Sequence, residues 1–521
     1  MGNFFRLRAL GLAFAASVTA LSANPALART SVADGDGGAA SQTDLPPVQV
    51  AAAKQTGGQT YRAAPPPRQP DHTLPPPVNP VPVNPVPVNP VPNDRVPGDF
   101  GEPAATAPPD TTTSSTSASS SAASGRTSGR SAARSFPVVT LPAAGESRFK
   151  QDQVVVAIPK SLSAARIAGI LRRHHLTEID SSPVMLSGVS FHVWSFTDHR
   201  TVAKVERELA REAGLEALQP NYIFALTEDL AAASATASTP GLYALDKLRV
   251  AASLDLAVAE PIKVAVVDTA IDEAHPDLVG VVAARFDAIG GGKPPNSLDH
   301  GTAMAGAIAA NGQVRGVAPN VRVLSARAFD TDGSGGALGS SETIIKAIDW
   351  ALRSGARVIN MSFAGPKDPA LHETLASAAK RGVVLIAAIG NAGPKSPPLY
   401  PGADDNVIAI TATDADDHIF AMANVGAYVA VAAPGVDVLL PAPNGGYSLE
   451  TGTSVSAALA SGVVALALER KPRATLQDVR RWLAAGARRP ALAIDKALIG
   501  AGVIDATATM RAVGGEGVAG R

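Results

Sequence analysis

From about residue 242 to 502, short apolar runs alternate with segments of helical spacing, and no other feature restricts the fold of this chain as much. The runs are residues 264–267, 321–325, 358–361, 383–388 and 407–411. Residues 344–352, 371–380 and 455–468 have helical spacing between or after them. Strands without polar alternation have both faces buried, and strands separated by helices run parallel. The expected fold class is therefore α/β, a parallel sheet with helices on both faces. Ligands of such sheets gather at the carboxyl ends of the strands, so chemistry-bearing residues are sought there.

A smaller ordered region comes first. Residues 153–158 read as a strand, and 163–174 as a helix with Ile167, Ile170 and Leu171 on one face. Strands at 184–186 and 190–196, a helix at 201–213 and a last strand at 217–225 complete a β-α-β-β-α-β order, a small ferredoxin-like α+β domain. Such a pattern implies no function by itself. The Ala/Ser/Thr-rich stretch that follows, to Ser238, suits a domain boundary and proteolysis.

The remaining N-terminal chain is unlike either region. Arg6 and Arg8, an apolar run at 9–22 and Ala26-Leu27-Ala28 read as a cleaved export signal, with an uncleaved anchor as the other reading. Neither this run nor 455–468 reaches the ~20 apolar residues of a membrane span. Of 42 prolines, 19 lie between Pro46 and Pro109, and Pro-Val-Asn-Pro-Val recurs with a five-residue period from Pro77 to Pro92. Proline fixes φ and removes a donor, so an extended polyproline helix is expected there. With the Ser/Thr/Ala run at 111–131, this makes 29–145 a disordered spacer, or a tether across an envelope layer. The expected plan is signal 1–28, linker 29–145, small domain 148–226, processing linker 227–241, large domain 242–507 and tail 508–521. The 45 basic residues against 46 acidic ones exclude a strongly basic nucleic-acid binder. The absence of cysteine excludes disulfides, thiolate metal sites and cysteine nucleophiles.

Four polar residues stand at the ends of strands or the starts of helices. Asp268 ends the run 264–267, His300 opens a small-residue helix, Asn391 follows 383–388, and Ser454 opens the helix 455–468. Taken singly they are capping or turn residues. Taken together they run Asp, His, Ser, with separations of 32 and 154 positions, each beside Gly or another small residue.

With Asn360-Met-Ser362, Ala433-Pro-Gly435 and Asp332-Gly-Ser-Gly335 in the same order, the chain from 243 to 507 resembles the subtilisin-like serine peptidases. The resemblance implies an Asp-His-Ser triad. Asp268 orients and stabilises the imidazole, His300 takes the proton, and Ser454 attacks the scissile carbonyl to form an acyl-enzyme. A serine hydroxyl needs such a base, and an imidazole titrates in the right range. Asn391 and the Ser454 N–H are the implied oxyanion donors. A peptide substrate is expected as an added strand between Gly333-Ser334-Gly335 and Ser362-Phe363-Ala364. The pocket for the side chain before the cut is expected at Ala388 and Gly390, made shallow by Leu399 and suited to small or medium apolar groups. In this family a small split-βαβ domain is commonly an inhibitory propeptide that ends near Pro-Asn-Tyr, here Gln219-Pro-Asn-Tyr-Ile-Phe224. Self-cleavage between 225 and 242 is the resulting expectation.

Some positions depart from the family pattern. Ala270 replaces a usual Gly, Ala303-Met304 a His-Val pair, and Ala458 and Leu459 a Pro and a His. The stretch 310–316 is too short for the loop that wraps calcium in many relatives. No cofactor is expected and no tightly bound calcium at that position; Asp277 reads as a surface aspartate, with a calcium ligand as the other reading. The expected protein is a secreted or periplasmic serine endopeptidase, monomeric, acting on peptides or proteins. A catalytically silent, partner-binding relative is the alternative. A nucleotide-binding enzyme is disfavoured, since neither glycine-rich phosphate motif occurs.

Overall fold

Apolar positions on alternate sides of short strands first build a small antiparallel sheet. The computed structural model describes residues 136–183, 188–227, 242–254, 261–331, 336–490 and 495–515. The expected signal, the proline-rich repeat, the processing linker from 228 on and Gly333-Ser334-Gly335 lie outside these residues. The small domain runs β1 (Phe149–Pro159), α1 (Ala164–Arg173), β2 (Thr177–Pro183), β3 (Val189–Ser195), α2 (Val202–Leu209) and β4 (Ala217–Leu226). Ser163 and Thr201 start the helices by accepting backbone N–H groups on their side chains. The strand order is β4-β1-β3-β2, antiparallel throughout. Val154, Val156, Ile158, Ile170, Trp194, Val205 and Leu209 fill the space between sheet and helices.

Two boundaries differ from expectation. The strand expected at 184–186 lies outside the described residues, and β2 precedes it. A two-residue strand, Val138–Val139, runs parallel to β4 upstream of the expected start at 148.

The large domain continues with β5 (Lys263–Asp268), β6 (Val282–Asp287), α3 (Asp299–Ala309), β7 (Arg322–Arg327), β8 (Leu338–Ser340), α4 (Ser341–Arg353) and β9 (Val358–Met361). It goes on through β10 (Phe363–Ala364), α5 (Pro369–Lys380), β11 (Val384–Ala388), β12 (Ile408–Thr413) and β13 (Val429–Pro434). A hairpin, β14 (Val438–Ala442) with β15 (Gly446–Glu450), then leads to α6 (Thr453–Arg470), α7 (Leu476–Gly486) and α8 (Ala506–Gly514).

Seven of these strands form one all-parallel sheet in the order β13-β12-β11-β9-β5-β7-β6. Successive residues of β5 serve opposite cores. Val264 and Val266 pack with α3 and α6, whereas Ala265 and Val267 pack with α4 and α5. Strands buried on both faces cannot alternate polar and apolar residues, which is why the runs are continuous. The chain order reverses at β5, between β7 and β9, and Asp268 ends that strand.

Helix α6 is buried at every position from 453 to 469. A helix apolar on all sides belongs inside a domain, and its small residues let neighbours approach closely. A Cβ on Gly462 would lie 2.6 Å from Val317 Cβ. Among the described residues no helix is long and apolar enough to cross a membrane. The C-terminal end differs from the expected tail at 508. Thr509, Met510 and Val513 of α8 are buried, and a Cβ on Gly486 of α7 would meet the Thr509 backbone at 2.5 Å.

Gly462→Ala overpacks the α6–Val317 contact. It is expected to lower stability by about 1–3 kcal/mol, read as a lower guanidinium midpoint with an unchanged slope.

Candidate active site

The carboxyl end of β5 carries Asp268, whose carboxylate is fully buried. Its Oδ1 accepts the Thr269 N–H at 2.7 Å. His300, in the first turn of α3, places Nδ1 2.7 Å from Oδ1 and 2.8 Å from Oδ2 of Asp268. A carboxylate only accepts, so Nδ1 carries the hydrogen and Nε2 is the basic nitrogen. Two hydroxyls pin the helix start. Thr269 Oγ1 accepts the Gly301 N–H at 2.9 Å, and Thr302 Oγ1 accepts the Asp272 N–H at 2.8 Å. Position 301 must be glycine, since a Cβ there would sit 2.6 Å from the Thr269 carbonyl oxygen.

Ser454 stands at the second position of α6, where backbone N–H groups have no acceptor within the helix. Its Oγ donates to the carbonyl oxygen of Thr227, and Asn391 Nδ2 donates to the same oxygen at 3.0 Å. Thr453 orients the Asn391 amide. Both its N–H, at 3.2 Å, and its hydroxyl, at 2.8 Å, donate to Asn391 Oδ1, which turns Nδ2 toward Thr227. A Cβ on Gly452 would lie 2.5 Å from the Thr227 oxygen. Glycine there leaves room for that carbonyl.

The other family motifs support this helix start. Ser362 Oγ donates to the Ser454 carbonyl at 3.1 Å and accepts from Asn360 Nδ2 at 2.9 Å. Ser461 Oγ lies 3.1 Å from Asn360 Oδ1. Ser456 Oγ lies 2.9 Å from the carbonyls of both Ala433 and Pro434.

The cleft is occupied by the chain itself. The end of β4 lies between two strands of the large domain, antiparallel to both. Ile223, Phe224 and Ala225 face Ser340, Gly339 and Leu338 of β8, while Ala225 and Leu226 face Ala364 and Phe363 of β10. The Thr227 N–H donates to the Ser362 carbonyl at 3.2 Å. Ser362, Phe363 and Ala364 thus form one wall. The opposite wall is β8, just downstream of Gly333-Ser334-Gly335.

A cavity of about 450 Å³ beside Thr227 is lined by Ala364, Asn391, Ala392 and Leu399 together with the β4 end. Leu399 backs onto Gly390, whose φ is +104° and whose added Cβ would come 2.9 Å from Leu399 Cδ1. Ala388 is buried at the end of β11. Three residues before Thr227, Phe224 packs edge-on against Phe363 at 5.9 Å. Phe363 in turn lies 4.9 Å from Phe329.

Polar side chains of β4 also meet the starts of α4 and α5. Gln219 Nε2 donates to Asp368 Oδ1 at 2.7 Å, and Gln219 Oε1 accepts the Ala370 N–H at 2.8 Å. Ser341 Oγ donates to Asp368 Oδ2 at 2.5 Å and accepts the Tyr222 N–H at 3.0 Å. Burial pushes the Asp368 carboxyl up, and the Ser341, Leu371, Gln219 and Ala370 donors oppose that.

Asp277 is a correction to the sequence reading. It is buried, not a surface aspartate, because the short stretch after α3 folds onto it. Its carboxylate accepts the Gln313 and Val314 N–H groups, each at 2.8 Å, and the Tyr447 hydroxyl at 3.0 Å. Among the described residues no cluster of three or more His, Asp or Glu is arranged to hold a metal.

Sequence reasoning missed Thr269, Thr302 and Thr453, the hydroxyls beside the named residues. The sequence does carry a signal for them, the threonine adjacent to Asp268 and to Ser454. Phe329 and Gln219 carried no such signal, since their partners are remote in sequence.

The Subtilase family model matches residues 260–502. Over 233 residues the chain is 35% identical to Subtilisin DY of Bacillus licheniformis, covering 43% of this chain and 83% of that protein. It is 33% identical to Thermitase of Thermoactinomyces vulgaris over 230 residues, or 43% of this chain and 81% of that one. Among solved structures, fervidolysin from Fervidobacterium pennivorans, a keratinolytic enzyme related to subtilisin, aligns with a TM-score of 0.61 at 23% identity. The alignment covers 73% of this chain and 63% of that one.

Asn391→Leu removes one donor from the Thr227 oxygen site. The loss established for the corresponding donor in a subtilisin is on the order of 10²–10³ in kcat, and the same loss with KM little changed is expected here in peptide-amide kinetics.

Proposed function

Because the chain belongs to the subtilase family and is a serine endopeptidase, we propose that it is made as an exported zymogen that cuts itself between Thr227 and Glu228. In this reading residues 148–226 are the propeptide, first substrate and then inhibitor. The observation that carries it is the Thr227 carbonyl oxygen, which receives both Ser454 Oγ and Asn391 Nδ2.

Asp268 holds His300 with Nε2 as the base. Nε2 takes the Ser454 proton as Oγ adds to the Thr227 carbonyl carbon, and the carbonyl electrons move onto oxygen. Asn391 and the Ser454 N–H stabilise that oxyanion. The Thr227–Glu228 C–N bond then breaks, and His300 gives its proton to the departing Glu228 amine. Water, activated by the same imidazole, hydrolyses the ester and leaves the Thr227 carboxylate and free Ser454. The cut tail keeps its strand pairing with β8 and β10 and continues to block the cleft.

Peptide and protein substrates occupy the same strand position once the propeptide has gone. Leu399 closes the pocket beside the cut, which favours small or medium residues such as the threonine of the chain's own site. The aromatic pocket of Phe363 and Phe329 favours an aromatic residue three positions earlier. The export reading rests on Arg6, Arg8, the run at 9–22 and Ala26-Leu27-Ala28, and makes the enzyme secreted or periplasmic. It acts as a monomer. Calcium has no part at Asp277. Three N–H and O–H donors already point at that carboxylate, and a cation there would face their positive ends.

Three outcomes follow. Ser454→Ala stays uncut on expression, seen as a single full-length mass after signal removal; a fragment of the wild-type size would sink the self-processing reading. Leu399→Gly deepens the pocket and raises kcat/KM for phenylalanine over alanine before the cut by about ten-fold or more, measured with paired peptide substrates. The melting temperature is the same in EDTA and in millimolar calcium.

A further inference from the structure

One carboxyl group in the small domain has no hydrogen-bond partner among the described residues. Glu206, in α2, is fully buried, and among the described residues neither of its carboxylate oxygens has a hydrogen-bond partner. Helix α2 packs on β1 and β4, and β4 is the strand whose end fills the cleft. The charged and titratable groups of these elements offer little compensation. On β1 they are Lys150 and Asp152, both exposed. On β4 the only one is Tyr222. On α2 itself they are Lys204, Arg207 and Glu208. Of these, Arg207 alone draws the carboxyl toward ionisation, and burial outweighs it, pushing Glu206 up to about 8.

A second group at the contact between the two domains acts in the same direction. Lys346 of α4 bonds Glu342 Oε1 at 2.7 Å and also pairs with Asp180 of β2. Burial, with the Asp180 carboxylate beside it, raises Glu342 to about 7 against the pull of Lys346. Charges on the other elements around α4 are engaged elsewhere. Asp368 is bonded by Ser341 and Gln219, His372 pairs with Asp404, and Arg327 pairs with Asp287. Arg322 bonds the Gly280 carbonyl, Lys263 bonds the Ser354 carbonyl, and Asp268 is taken by His300.

We propose that the small domain is a proton-gated plug, seated in the cleft while Glu206 is neutral and loosened when an alkaline medium ionises it. The inference rests on the reading of residues 148–226 as the propeptide. The sign follows from linkage. A carboxyl with a raised folded-state pKa contributes stability that is fully present below its unfolded value, near 4.5, and is lost as pH rises to about 8. Export into an alkaline medium would then complete activation with no further protease.

The test uses the uncut full-length Ser454→Ala protein and amide hydrogen exchange over residues 149–226, from pH 5 to pH 9, corrected for intrinsic rates. Opening of this domain is expected to rise at least about ten-fold across the window. Adding Glu206→Gln, a neutral isostere, should reduce the rise, and Glu206→Gln with Glu342→Gln should hold the change within about three-fold. Glu206→Leu serves the same purpose should the glutamine variant lose the fold. A flat profile in the Ser454→Ala parent, or an unaltered rise in the Glu206 variants, overturns the proposal. Cleavage does not enter this readout, so it stands or falls separately from the processing site at Thr227.

Discussion

The site and the strand that fills it meet at one carbonyl oxygen. Thr227 O accepts from Ser454 and from Asn391, so a hydroxyl and an amide from two distant parts of the large domain converge on one peptide group of the small domain. The Asn391 amide, fixed in advance beside that oxygen, needs no reorganisation when charge develops there, whereas the Ser454 hydroxyl marks how close the nucleophile lies to the same peptide group. Gly452 leaves room for that oxygen, Thr453 turns the Asn391 amide, and Ser362 ties down the Ser454 backbone.

The rest of the fold positions those few groups. A sheet buried on both faces places Asp268 at the reversal of strand order. Helix α6, buried along almost its whole length, cannot shift without opening the core, so Ser454 inherits the rigidity of the domain. The occupant of the cleft is held in a different way, by main-chain pairing with β8 and β10 and by Phe224 in an aromatic pocket. Main-chain pairing accepts many sequences, and the pockets select among them.

Much of this was legible in the sequence. The sheet could be read because strands buried on both faces leave continuous apolar runs, and Asp268, His300 and Ser454 could be singled out because each stands at an element boundary beside a small residue. Helix α8 could not be read, since its apolar positions are few and its burial depends on α7. Asp277 was misread because an aspartate in a short turn looks exposed until a remote stretch, 310–316, folds over it and supplies N–H donors. The partner of the active site was hidden for a similar reason. The Gln219-Pro-Asn-Tyr stretch suggested only that the small domain ends nearby. That Thr227 falls on the donors depends on a pairing register between strands more than a hundred residues apart.

The departures from the family pattern at Ala270, Ala303, Met304, Ala458 and Leu459 leave this geometry intact, since the chemical groups are held by the hydroxyls of Thr269, Thr302 and Thr453 and by glycine contacts. The most direct test of the central claim is the C-terminal residue of the small-domain fragment released from wild-type protein, determined by intact-mass spectrometry. The account predicts a fragment ending at Thr227. A fragment whose first cut falls at any other residue would contradict it.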